Sequence, residues 1–217
     1  MVEYVGGGDS GTGITSIGSG KDYSTIAAWI ASLSDGTYSS GDDIIGELYD
    51  SSYDEAFNIG DAPFSIGGLN SVTLRANSAY KHDGTPDSGV KITYSGSVPD
   101  SSAPYTVSYD SSTYGEYKVK IEDIEFADFN NSADVHVYGF LLSEKTTIMS
   151  RCLVNNFSSN GSSTKRFRLF RQGKPRIQNC MIFNCGKTWG TGGVSANVQA
   201  FNLDNSTAAK VYNSTIY

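Results

Sequence analysis

The sequence predicts an all-β chain wound as a solenoid, a parallel β-helix preceded by an N-terminal helix. Three observations lead there. An apolar spacing of three, two and three recurs along the second half of the chain, polar residues recur at fixed places within it, and the composition is that of strands and corners. Among 217 residues there are 24 Gly, 14 Tyr and 10 Phe but only 9 Leu. Such a chain is poor in helix formers and rich in residues that suit pleated strands and tight bends.

The spacing is read first at Ile177, Cys180, Ile182 and Cys185. It fits neither the strict alternation of a half-buried strand nor the three-and-four pattern of an amphipathic helix. The same spacing occurs at Ile121, Ile124, Phe126 and Phe129 and at Met149, Cys152, Val154 and Phe157, while Val211, Ser214 and Ile216 begin a fourth copy. The first three copies are 28 residues apart and the fourth follows after 34. A step of three reads as a short strand, a one-residue corner, then another strand. Asp123, Arg151, Asn179 and Asn213 hold one corner position, and Asp128, Asn156 and Asn184 a second. Asn and Asp tolerate the left-handed backbone such a corner needs. One unit cannot bury its inward side chains alone. Stacked at roughly 4.8 Å, successive units bury them in continuous columns. The same 28-residue step places Gly139-Phe140-Leu141-Leu142 against Phe167-Arg168-Leu169-Phe170, and a step of 34 then carries Phe167 onto Phe201.

Upstream, Ile26, Ala27, Ile30 and Leu33 form a helical stripe, with Ser24 placed as N-cap and Gly36 beyond the end. A helix over 25–33 is expected to cap the open end of the solenoid, whose bare strand edges would invite aggregation. The expected organisation is a flexible Gly-rich arm over residues 1–20 and a single β-helix domain over 21–217, with clear coils from about 119. The run GSGK does not make a phosphate loop: Thr15 stands where its first glycine is needed, and Asp22 follows Lys21 in place of Ser or Thr. MVEYVGGGDSGTG lacks the cationic start and apolar core of a secretory signal, and no apolar run reaches the length of a membrane span. Synthesis in a host cytoplasm and no membrane partner are the expectations.

With GSGKDYSTIAAWIASL followed by stacked β-coils, the chain resembles the right-handed parallel β-helix proteins of the pectate-lyase-like superfamily, and within it the short members encoded by bacteriophages. The resemblance implies a right-handed helix and one of two roles: a polysaccharide lyase or hydrolase, or a virion protein such as a tailspike, fibre or capsid decoration protein. The pectin-hydrolase pattern, Asn-x-Asp followed by Asp-Asp and Gly-His-Gly, is absent. Asp42-Asp43 is the only adjacent Asp pair and precedes the repeats. Glu122, Asp123 and Glu125 lie on a coil, where the outward pair Glu122 and Glu125 reads as a solvated face rather than a catalytic groove. Lyases of this fold set a basic residue beside a metal held by acidic groups, and no acidic cluster accompanies the arginines in sequence. His82 and His136 are isolated, so no zinc site or His-containing triad is read. No catalytic residue, metal or cofactor is assigned. Cys152 and Cys180 share a column and Cys185 occupies that of Phe129 and Phe157, and all three are expected to be free, buried fillers.

Charge is distributed unevenly. Residues 1–164 carry 22 acidic and 8 basic side chains, whereas residues 165–217 carry 1 acidic and 8 basic. A solenoid maps sequence onto its axis, so one end should be acidic and the other basic. Lys165, Arg166, Arg168, Arg171, Lys174 and Arg176 form the densest cluster, with Phe167 and Leu169 alternating inward and the arginines outward. It is the candidate partner-binding surface, suited to an acidic partner: a capsid surface, an identical neighbour or an acidic glycan. Nucleic acid is disfavoured by the net charge of −7 and the lack of an aromatic stacking platform. The fourth copy runs to Tyr217 without a capping segment, so either the polypeptide continues or another chain is expected to cover that end. The expectation is a bacteriophage virion structural protein, a capsid decoration or tail-fibre component, forming a homo-oligomer such as a trimer and binding other virion proteins. The alternative is a polysaccharide-active lyase or hydrolase, or a glycan-binding tailspike.

Overall fold

The computed structural model describes residues 3–5, 11–108, 111–115, 118–131, 135–142, 147–159, 167–171, 175–187, 198–202 and 210–216. They form an all-β parallel solenoid of about five turns. The first sheet has eight strands, Glu3–Val5, Thr12–Ile17, Asp43–Leu48, Ser71–Ala76, Val119–Glu122, Thr147–Ser150, Arg176–Gln178 and Lys210–Tyr212. The second has six, Ser52–Asp54, Lys91–Thr93, Glu125–Ala127, Leu153–Asn155, Met181–Phe183 and Thr215–Ile216. The third has five, Phe57–Ile59, Tyr105–Val107, Val137–Leu142, Phe167–Arg171 and Val198–Asn202. A three-stranded sheet of Asn130–Asn131, Ser158–Ser159 and Gly186–Lys187 fills the interval between the second and third. All neighbours pair in parallel except Glu3–Val5, which runs antiparallel along Thr12–Ile17.

The columns form as the spacing requires. Met149 is in register with both Ile121 and Ile177, and Ile177 with Val211. Phe126, Val154, Ile182 and Ile216 make the corresponding series on the second sheet. Ile121, Ile124, Phe126, Phe129, Met149, Cys152, Val154, Phe157, Ile177, Cys180 and Ile182 are all buried. Both corner positions adopt left-handed backbone: φ is 60°, 53°, 54° and 43° at Asp123, Arg151, Asn179 and Asn213, and 57°, 54° and 51° at Asp128, Asn156 and Asn184. The short polar side chains that tolerate this region explain six of these seven positions. Arg151 is the seventh, and its partners are described below.

The coils begin well before residue 119. Ile44 pairs with Val72, and Val72 with Val119, so the first sheet is continuous through Asp43–Leu48 and Ser71–Ala76. These earlier coils lack the three-two-three signature because their corners are longer. Residues 49–51 replace the single-residue corner in one coil and 77–90 replace it in the next. In the first of these the Tyr53 hydroxyl takes over the corner's bonding, donating to Ile17 O at 2.7 Å and accepting from the Tyr49 and Asp50 amides. Residues 12–17, expected within a flexible arm, form a strand in register with Asp43–Leu48.

The third sheet departs from the expected register. Phe140 lies opposite Phe170, and Phe170 opposite Phe201. The offsets are therefore 30 and 31 residues rather than 28 and 34. The reason is the unequal length of the segments entering the sheet, five residues over 132–136 but seven over 160–166. The register builds an aromatic column in the core. Phe57 and Tyr105 have ring centroids 5.3 Å apart, Tyr105 and Phe140 5.3 Å, and Phe140 and Phe170 4.9 Å with planes inclined by 15°.

The N-terminal helix spans Ile26–Ser32. Its cap is Thr25, not Ser24: the Thr25 hydroxyl accepts from Ala28 N at 3.0 Å. The Glu55 carboxylate accepts from the Ile26 and Ala27 amides, each at 3.2 Å, satisfying two further donors left open at the helix start. Ile26, Trp29 and Leu33 are fully buried. Gly46 lies directly under the indole, since a Cβ there would come within 2.6 Å of the Trp29 ring. The helix therefore packs on the coil that contains Asp43–Leu48.

Candidate partner-binding surface

The basic cluster read from sequence is divided by the fold. Lys165, Arg166 and Lys174 lie outside the described residues. Arg168 and Arg171 are on the third sheet, whereas Arg176 begins a strand of the first sheet, between Ile148 and Lys210 in register. Arg168 is in register with Tyr138 and is only 8% exposed. The expected solvated arginine face is therefore not formed there: flanked by Tyr138 on the outer side of the sheet, Arg168 is covered. Leu169 and Phe170 are both core residues, so simple alternation fails after Leu169 and carries Arg171 to the outer side.

Arg171 is held from two directions. Its guanidinium carbon is 4.4 Å from the centroid of the Tyr138 ring. Its Nη1 donates to Ser101 O at 3.4 Å, and its Nε is buried with no hydrogen-bond partner among the described residues. Ser101 is presented by a left-handed corner (φ 61°) that the next coil fixes. Its amide donates to His136 O at 2.8 Å, Tyr138 N donates to Ser102 O at 3.0 Å, and His136 N donates to Asp100 Oδ1 at 2.7 Å. Beside it runs an open groove of about 370 Å³ lined by residues including Asn58, Ser102, Pro104, Thr106 and Leu141. Leu141, in the groove lining, is the register partner of Arg171, which stands one coil beyond it. The sequence marked Arg171 but not this groove, because Asn58, Thr106 and Leu141 are brought together only by coil stacking.

The acidic residues that the sequence singles out lie elsewhere, in structural contacts. Asp123 accepts from Arg151 Nε at 2.7 Å and pairs with Lys81 at 3.0 Å, while Glu122 pairs with Arg151 at 3.3 Å and accepts from the Ser150 hydroxyl at 3.3 Å. Burial opposes ionisation of Asp123, but the hydrogen bonds and charges of Arg151 and Lys81 outweigh it and hold its carboxyl below the ordinary aspartate value. The hydrogen bond to Asp123 raises the Arg151 pKa in return. Glu125, expected on a solvated face, is 1% exposed. It lies under the segment 81–90, accepting from Asn155 Nδ2 and from the Asp87 amide, each at 2.7 Å. Asp42 accepts from the Gly11 and Ser39 amides, and Asp43 from the Asn70 amide group and the Ser71 hydroxyl. Glu47 binds Arg75, Asn77 and Tyr49. Among the described residues no group of three or more His, Cys, Asp or Glu is placed to hold a metal ion. No helix among them is long and apolar enough to cross a membrane.

Three cysteines are free: Cys152 and Cys180 are buried, whereas Cys185 is partly exposed, so the expectation of three buried thiols holds for two. Burial pushes the Cys152 thiol well up, and the neighbouring Cys180 thiol acts in the same direction. At Cys180 the hydrogen bond with Cys152 acts oppositely and outweighs burial. Burial lifts the Cys185 thiol to about 11.

No protein-family model matches the chain, and no curated protein matches it. Two solved structures of the pectin methylesterase from Aspergillus niger are similar to it. The deglycosylated form shares 17% identity at a TM-score of 0.38, over 94% of this chain and 85% of that one. A penultimately deglycosylated form shares 15% at 0.38, over 100% and 88%. A likeness at this level carries no argument about activity.

Proposed function

We propose that this solenoid is a structural component of a bacteriophage virion, a capsid decoration or tail-fibre protein that assembles with other virion proteins and with copies of itself. One observation carries the reading: the outer carboxylates of the coils bind the neighbouring coil. Arg75 to Glu47, Ser71 to Asp43, Ser150 to Glu122, Arg151 to Asp123 and Asn156 to Asp128 each span 28 residues, one turn of the stack. Hydrolysis of a glycosidic bond needs two carboxylates facing one open site, one of them free to carry a proton. Carboxylates engaged as rungs between turns instead stiffen a rod, which is what a fibre or decoration protein requires. Of the basic residues from Lys165 to Arg176, Arg171 is the proposed partner contact, and an acidic protein or glycan surface is its target.

Quantitative mass spectrometry of gradient-purified particles tests the reading. A stoichiometric copy number in the particle is expected, together with no turnover of pectin, alginate or similar acidic polymers by the purified protein. Absence from particles, or polymer cleavage abolished by Arg171→Ala, would move the assignment to a polysaccharide-active enzyme.

A further inference from the structure

We propose that the groove beside Arg171 docks an extended segment of a protein partner that combines acidic and aliphatic side chains. The proposal deepens the assembly reading above and rests on it for the partner being a protein. Asn58, Thr106, Leu141 and Arg171 are register partners on four consecutive coils, so they line up parallel to the solenoid axis. Three coil steps of roughly 4.8 Å make a track of about 14 Å, the length of about four extended residues. The track is graded: an exposed amide at one end, a hydroxyl, a half-exposed aliphatic side chain, then a guanidinium.

The guanidinium is preorganised for an anion. It rests against the Tyr138 ring, and the Ser101 carbonyl engages one of its five N–H donors. An arginine held this way loses less conformational freedom when a carboxylate binds. The lining discriminates between classes of partner. The one ring in it, Phe57, is buried and belongs to the core column, so no aromatic face is offered for a sugar to stack on. Leu141 and Ala103 instead present aliphatic surface, which suits a leucine- or valine-sized side chain next to the carboxylate.

A display library of random 12-residue peptides selected in parallel on the full-length protein and on its Arg171→Glu variant tests this without particles. The expected result is a consensus pairing Asp or Glu with aliphatic residues on the wild type. Synthetic peptides of that consensus should lose at least tenfold in affinity on Arg171→Glu. Thr106→Glu, a half-exposed position in the groove, should weaken them similarly while leaving the thermal midpoint near wild type, which separates loss of the site from loss of the fold. Lack of a consensus, a consensus unchanged on Arg171→Glu, or preferential binding of size-defined oligogalacturonates in the same groove would overturn the proposal. If the protein is absent from particles yet selects such peptides, the assembly reading fails while the groove assignment stands.

Discussion

Arg151 Nε donates to Asp123 Oδ1 at 2.7 Å across one turn of the solenoid, and both residues hold left-handed backbone, with φ of 53° and 60°. A left-handed arginine lacks the local hydrogen bonding that makes Asn or Asp tolerable there, so its position must be stabilised by its surroundings. The surroundings are an almost fully buried Asp123, whose side chain is 8% exposed, and a more open Glu122.

That pair predicts a direction of pH dependence. Asp123 has a folded-state pKa below its unfolded value, so its contribution to stability is present above the unfolded value, near 4, and lost as pH falls through the folded one. Denaturant titrations of the wild type and of Asp123→Asn between pH 5 and pH 2 should therefore converge as the pH is lowered. Curves that stay parallel would show that Asp123 is not held ionised by the fold.

The aromatic column should dominate core stability. Phe140 is fully buried between Tyr105 and Phe170, so Phe140→Ala should cost about 3–5 kcal/mol, within the range for a phenylalanine removed from a packed core. Equilibrium unfolding in urea measures it. A cost below about 1 kcal/mol would mean that the third-sheet register is not 30 residues between these coils.

The thiols should be slow to react in the native protein. Cys152 and Cys180 are 1% and 3% exposed and burial pushes the Cys185 thiol up to about 11, so a thiol reagent at pH 8 should modify few groups before denaturation and three after it. Fewer than three after denaturation without reductant would reveal a disulfide.

Much of this architecture was legible because the regular coils write it in residue types. Asp128, Asn156 and Asn184 marked one corner and Asp123, Asn179 and Asn213 the other, since the left-handed backbone selects such side chains. The coils before residue 119 were not legible. Their corners are built from Tyr53, which reaches back to Ile17 on the preceding coil, and from the segment 77–90, whose Lys81 and Asp87 bind the following one; such longer-range contacts leave no short spacing. The third-sheet register was misread because a two-residue difference in an entering segment is invisible when the neighbouring sheets keep a step of 28. Arg168 was misplaced for a related reason: alternation shows that it leaves the core but not that its outer side is covered. The groove beside Arg171 carries no local signal, because Asn58 and Arg171 are 113 positions apart in sequence.

Acidic side chains act as ties between turns, and a double-mutant cycle on Asp123 and Arg151 tests this most directly. Unfolding free energies of the wild type, Asp123→Ala, Arg151→Ala and the double variant should give a coupling of about 1–2 kcal/mol, the two single costs together exceeding that of the double variant. The partial exposure of Arg151 keeps the expectation below that of a fully buried pair. Additivity of the two substitutions within about 0.3–0.5 kcal/mol would contradict it, leaving those carboxylates without the structural role assigned to them.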